Sequence, residues 1–143
     1  MFEIKQLSIF LANKPGRLLS ITRLLKEANI NIRGMCITDT SESGVLRLIV
    51  DYPEEGAALL KEAGISSQTS NIIVVKIEDK PGELCQLLFY LEESDLNVEY
   101  LYGFLNKEGY AYLAMKVEDI KAAINVMDNK NITLLTEDNV YGV

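Results

Sequence analysis

Leu7, Ile9 and Leu11 fall on alternate positions, and Ile73, Val75 and Ile77 do the same. Period two is the mark of a strand with one buried face. A Pro-Gly follows each run, at Pro15-Gly16 and Pro81-Gly82, and proline near the first helical position costs no hydrogen bond. Beyond it the period changes. Leu18, Ile21, Leu25 and Ala28 lie three or four apart, and Leu84, Leu87, Leu88 and Leu91 repeat the stripe, which gives each helix an apolar face. Second strands open at Ile30 and Leu96. Hairpin turns are expected near Ser41 to Gly44 and Asn106 to Gly109, each with a glycine for positive φ. Third strands cover Val45 to Val50 and Tyr110 to Lys116. A helix then starts at Pro53, has Glu54 and Glu55 at its positive end and Lys61 in its last turn, and stops at Gly64. Ile120, Ala123, Ile124 and Met127 form the matching stripe. Closing strands are expected near Ile65 to Ser70 and Ile132 to Glu137, the former poor in strand-forming residues.

These elements are one unit written twice. A shift of 66 residues puts Lys14-Pro15-Gly16 on Lys80-Pro81-Gly82, and Leu18, Leu25, Glu27 and Asn31 on Leu84, Leu91, Glu93 and Asn97. Internal repetition at a fixed offset marks a repeated supersecondary unit. The order βαββαβ, with two helices on one face of an antiparallel sheet, is the ferredoxin-like α+β arrangement. We divide the chain into domains 1–69 and 70–143. A unit of about 70 residues is marginal alone, so the copies are expected to share an interface.

Composition narrows the function. The net charge of −7 is carried entirely by residues 70–143, with six basic and thirteen acidic side chains, whereas residues 1–69 hold eight of each. An acidic chain without a basic run is a poor partner for nucleic acid, whose affinity comes largely from phosphate contacts. No apolar run reaches the roughly 18 residues of a membrane span. Met1 to Ala12 has no basic n-region or small-residue cleavage site, and a cytoplasmic protein is expected. With no histidine and only Cys36 and Cys85, the usual zinc sites lack ligands, and no metal or cofactor is expected. The two thiols read as small hydrophobes, with a disulfide between them left open. No acid–base or nucleophile–base pairing is recognisable, so catalysis is not expected.

Three features kept between the copies have binding chemistry. Asn13 or Asp79 precedes the Pro-Gly, Gly16 or Gly82 lets the backbone approach a ligand, and the helix start behind it leaves N–H groups that favour an anion. Asn31 and Asn97 offer donor and acceptor together. The set suits a zwitterion. The same residues also read as helix caps, turns and strand starts, and the residues alone leave both readings open. Tyr100, Tyr102 and Phe104 are expected to share one strand face, as core or dimer contact.

Asn13-Lys14-Pro15-Gly16-Arg17-Leu18 with Asn29-Ile30-Asn31-Ile32 resembles the ACT domain, and Asp79-Lys80-Pro81-Gly82-Glu83-Leu84 with Asp95-Leu96-Asn97-Val98 resembles it more closely. The likeness covers the whole chain as two tandem ACT domains. It implies a regulatory module holding an amino acid or similar small ligand at an interface between ACT-like domains. By that resemblance the binding residues are Asn13, Gly16, Leu18, Asn31 and Ile32, then Asp79, Gly82, Leu84, Asn97 and Val98. The implied partners are the ligand, a second copy of the chain in a homodimer, and a regulated enzyme or regulator. A ligand-free dimerisation or interaction module is the alternative.

Overall fold

A computed structural model describes residues 1–12, 14–39 and 43–141. In chain order the elements are β1 (Ile4–Ala12), α1 (Arg17–Glu27), β2 (Ile32–Asp39), β3 (Ser43–Val50), α2 (Pro53–Glu62) and β4 (Ser67–Glu78). Then come α3 (Glu83–Glu93), β5 (Val98–Lys107), β6 (Tyr110–Val117), α4 (Ile120–Asn129), β7 (Thr133–Leu134) and α5 (Glu137–Tyr141). Contacts gather them into two units, Lys5–Ser70 with Tyr141, and Met1–Ile4 with Asn71–Val140.

In the first unit β3 is flanked by β1 and β2, both antiparallel. Leu7 and Ile9 of β1 face Leu48 and Leu46, while Met35 and Ile37 of β2 face the same two leucines. The alternating side chains of β1 and β3 point to one face, where Ile21 and Leu25 of α1 and Leu60 of α2 complete the core. Phe10 N donates to Ser66 O at 3.1 Å, so the chain before β4 runs beside β1. The second unit repeats this plan, with Ile73 and Val75 of β4 facing Met115 and Leu113 of β6. Leu87 and Leu91 of α3 and Ala123 and Met127 of α4 cover that face. Each unit is the expected α+β, ferredoxin-like arrangement.

Helices α1 and α3 are both entered through one backbone conformation. Gly16 (φ 88°) and Gly82 (φ 93°) both sit in the left-handed region immediately before a helix. A Cβ built on either meets nothing within 4 Å. Conformation, not crowding, is therefore what excludes other residues at these points.

Four expectations are corrected. The closing strand expected at 65–70 begins at Ser67 and continues unbroken to Glu78 as β4, so no linker separates the copies. The one expected at 132–137 is only Thr133–Leu134. There Asn139 Oδ1 accepts from Thr136 N (3.3 Å) and from its hydroxyl (2.8 Å), while Thr136 Oγ1 accepts from Asn139 N (3.4 Å). This reciprocal cap starts α5 and ends the strand.

Of the hairpins, the first departs from expectation at its glycine and the second turns where expected. Ser41, in the first expected turn, lies outside the described residues. Gly44 belongs to β3 opposite Asp39, and a Cβ there would stand 2.7 Å from the Thr38 carbonyl oxygen, so close approach is its reason. The second hairpin turns through Glu108 (φ 53°) and Gly109 (φ 82°), the two positive φ values of a type I′ turn.

Finally, β5 carries a register shift between Gly103 and Leu105. Phe104 is an extra residue without a counterpart in β2, which is why the offset between copies becomes 67 beyond it. Tyr100 and Tyr102 share a face opposite Lys116 and Ala114, but the bulge takes Phe104 out of the row.

Gly82→Ala is expected to lower the unfolding free energy by about 1–2 kcal/mol from φ strain alone. Leu91→Ala should cost about 2–5 kcal/mol through its cavity. Urea titration of each variant measures both.

Candidate functional site

The turn at Gly16 delivers Lys14 and Arg17 to the start of α1. Gly16 O accepts from both the backbone N (3.0 Å) and the hydroxyl (2.9 Å) of Ser20. No side chain caps the helix, and at its start Arg17 N donates to Lys14 O at 3.4 Å. Beside this turn is a cavity of about 360 Å³, bounded by β1, α1 and the β2–β3 ladder. Leu11, Leu18 and Ile37 form its apolar wall, and Lys14 and Arg17 stand at its rim. Among the described residues neither cation makes an ion pair. Leu18 and Ile37 are 38% and 53% exposed, a large share for aliphatic side chains in this setting.

The corresponding turn of the second unit is wired differently. Lys80 stands where Lys14 does, but its ammonium is 2.6 Å from Glu78 and 3.6 Å from Glu83. Glu83 replaces Arg17, and Glu78 replaces Ala12. The hydrogen bond and charge of Glu78, then the charge of Glu83, raise the Lys80 pKa above the ordinary lysine value. Asp79 does not cap α3, whose N-cap is Gly82 without a side-chain bond. Its backbone N donates to Gly109 O at 2.9 Å, and its carboxylate accepts from Asn106 Nδ2 at 3.4 Å, tying it to the hairpin.

Asn31 and Ile32 lie at the other end of α1, about 16 Å away by the rise of an 11-residue helix. They border a separate cavity of about 570 Å³ with Lys26, Asp51 and Tyr52. Asp51 Oδ1 accepts from Asn31 N at 2.9 Å, and Asp51 N donates to Asn31 O at 3.1 Å. Asn97 and Val98 border the equivalent cavity of the second unit, about 200 Å³. There Glu118 N donates to Asn97 O at 3.2 Å. This second kind of cavity recurs at matching positions in both copies, and so follows from the fold itself.

The expected binding residues thus separate within each unit into a loop group and a strand-start group. Gly16 and Leu18 form one and Asn31 and Ile32 the other; Asp79, Gly82 and Leu84 are likewise apart from Asn97 and Val98. Asn13 lies outside the described residues. Sequence reasoning missed Arg17, Ile37 and Asp51. The position of Arg17 just after the glycine was a usable signal, whereas Ile37 and Asp51 reach their places only through strand register. Cys36 and Cys85 are free thiols. Among the described residues no group of three or more acidic or cysteine side chains is placed to hold a metal, and no helix is long and apolar enough to cross a membrane.

The family model of the ACT domain pair matches residues 2–143. The chain belongs to that family. Protein BT0572 from Bacteroides thetaiotaomicron is 31% identical to this ACT pair, with a TM-score of 0.94 over 99% of this chain and 98% of that one. The regulatory subunit of aspartate kinase from Thermus thermophilus, in its ligand-free form, has a TM-score of 0.62 at 15% identity, covering 90% and 93% of the two chains. The corresponding subunit from Thermus flavus gives 0.64 at 14%, with the same coverage. At those identities the kinase subunits share the fold of the ACT pair. No curated protein matches the sequence.

The Lys80 pairing has a pH signature. Its raised pKa means that the pairing stabilises the fold below the ordinary lysine pKa, and that this contribution is lost as pH climbs through the raised value. Solvent screening keeps the effect on stability small, so the proton itself is the better readout. In an NMR titration, Glu78→Gln should move the Lys80 midpoint down toward the ordinary lysine value.

Proposed function

We propose that this ACT pair is a regulatory protein that binds a small molecule, an amino acid by preference, and passes its occupancy to a partner enzyme or regulator. The cavity beside Gly16 carries the reading. It joins an aliphatic wall to two cations lacking ion-pair partners among the described residues, as a small carboxylate requires. Its volume is at the lower end of the range of about 300–1,000 Å³ common for ligand pockets. The proposed binding residues are Asn13, Gly16, Leu18, Asn31 and Ile32 of domain 1–69 and Asp79, Gly82, Leu84, Asn97 and Val98 of domain 70–143. The kinase regulatory subunits named above support a regulatory role, and the cytoplasm is the proposed compartment.

Regulation needs differential affinity. A ligand shifts an equilibrium between two arrangements only by the difference in its affinity for them. The loop group and the strand-start group are too far apart along one helix for a single amino acid to touch both in one unit. A ligand held by both groups would therefore draw them from two domains, and a homodimer is a source of such pairs. The second reading, a ligand-free assembly module, has its own support in Met35 (44% exposed) and Ile37 on the open side of β2.

A thermal-shift panel of the twenty amino acids separates the two readings. Ligand at 100 times its Kd adds about 2.7 kcal/mol. With an unfolding entropy of about 2.1 cal/mol/K per residue, that raises Tm by about 9 °C. At least one amino acid is expected to do so. A flat response to all twenty leaves the assembly module.

A further inference from the structure

The two Pro-Gly turns share a backbone and differ in charge. Around Gly16 the cations Lys14 and Arg17 border a cavity walled by Leu11, Leu18 and Ile37, with no acidic side chain among the described residues that line it. Around Gly82 the matching positions hold Lys80 and Glu83, and the lysine is already engaged by Glu78 and Glu83. Strand register changes the wall as well. Ile37 faces Leu46 in the first copy, whereas Gly103 faces Leu113 at the same place in the second. Gly44 becomes Ala111, and the bulge at Phe104 displaces the rest of β5. The second turn has thus lost its aliphatic side chain from β5 and gained two carboxylates that answer its lysine.

We infer that the pair is a single-site receptor: the first copy's cavity binds a small aliphatic carboxylate through Lys14 and Arg17, and the second copy's turn does not. The inference rests on the small-molecule reading above, specifies its ligand class and stoichiometry, and narrows the binding residues proposed there by removing the second turn's Asp79, Gly82 and Leu84. An exposed guanidinium is a planar fork matched to a carboxylate, and Leu11, Leu18 and Ile37 offer an apolar seat for a branched chain. In the second copy an incoming carboxylate meets Glu78, Asp79 and Glu83, and like charges side by side oppose binding. Amino acids and 2-oxo acids both carry the recognised group.

Isothermal titration of the full chain with leucine, 4-methyl-2-oxopentanoate and leucinamide tests this. At least one of the two acids should bind at one molecule per chain, and the pair of titrations tells which source is preferred. Leucinamide, which keeps the amine and the side chain but lacks the carboxylate, should bind at least tenfold more weakly than the better acid. Arg17→Glu should weaken the acid at least tenfold while leaving the ligand-free unfolding midpoint near that of the parent. Lys80→Gln should leave affinity and stoichiometry unchanged. Leucinamide binding as tightly as the acid, two molecules per chain, or an acid indifferent to Arg17→Glu overturns the single-site assignment. If another amino acid binds in the thermal panel while neither aliphatic acid does, this inference fails and the regulatory reading stands; if none binds, both fail.

Discussion

Each unit depends on a left-handed residue between its first strand and first helix. At Gly16 and Gly82 the chain leaves the sheet and must double back so that an amphipathic helix lies on the strand it just left. At these two turns a positive φ makes the reversal, and a side chain there strains the backbone whatever the available space. The apolar positions of α1 and α3 come to face β1 and β4 because this turn aims them. Ile21 and Leu25, like Leu87 and Leu91, are almost wholly buried, and the helix that carries them is also the one that sets the rim of the candidate cavity. Fold and site therefore share one hinge point in the sequence.

Much of this was legible in the residues. Period two in Leu7-Ile9-Leu11, period near 3.6 in Ile21-Leu25, and the repetition of both at a constant offset are enough to determine the βαββαβ order. Helix α2 begins at Pro53 and is followed by Gly64, as its punctuation indicates. What was not legible depended on non-local events. Whether 65–70 is a strand is decided by the pairing available to it, since Ser66 to Ser70 has little strand preference of its own. The shortening of β7 follows from the Thr136–Asn139 cap, a local competitor that ends the ladder. The Tyr100–Tyr102–Phe104 row failed because a bulge breaks the period that alone justified it.

The site was legible in part. Gly16 and Gly82 stood out, and their positive φ gives each a backbone reason to be glycine. Asp79 read as a helix cap or an ammonium partner, and in the structure it ties its turn to the Glu108-Gly109 hairpin. Arg17 lay in plain view between Gly16 and Leu18. Its importance emerges only when Glu83 is seen to pair with Lys80, since it is the contrast between the turns that gives the cation meaning. Ile37 reaches the cavity through the β2–β3 register, which no single-sequence pattern specifies.

The bulge at Phe104 records how two copies of one gene segment can grow apart. An extra residue in a strand has two outcomes: the ladder slips, turning every later side chain over, or the chain humps outward and the register resumes. Here it resumes, and Tyr110 to Val117 keep the alternation of Ser43 to Val50. The rim of the sheet thus serves as a margin in which length can change without rewriting the interior. A duplicated domain with such a margin is free to alter one of its strand edges while the unit beneath it goes on folding as before.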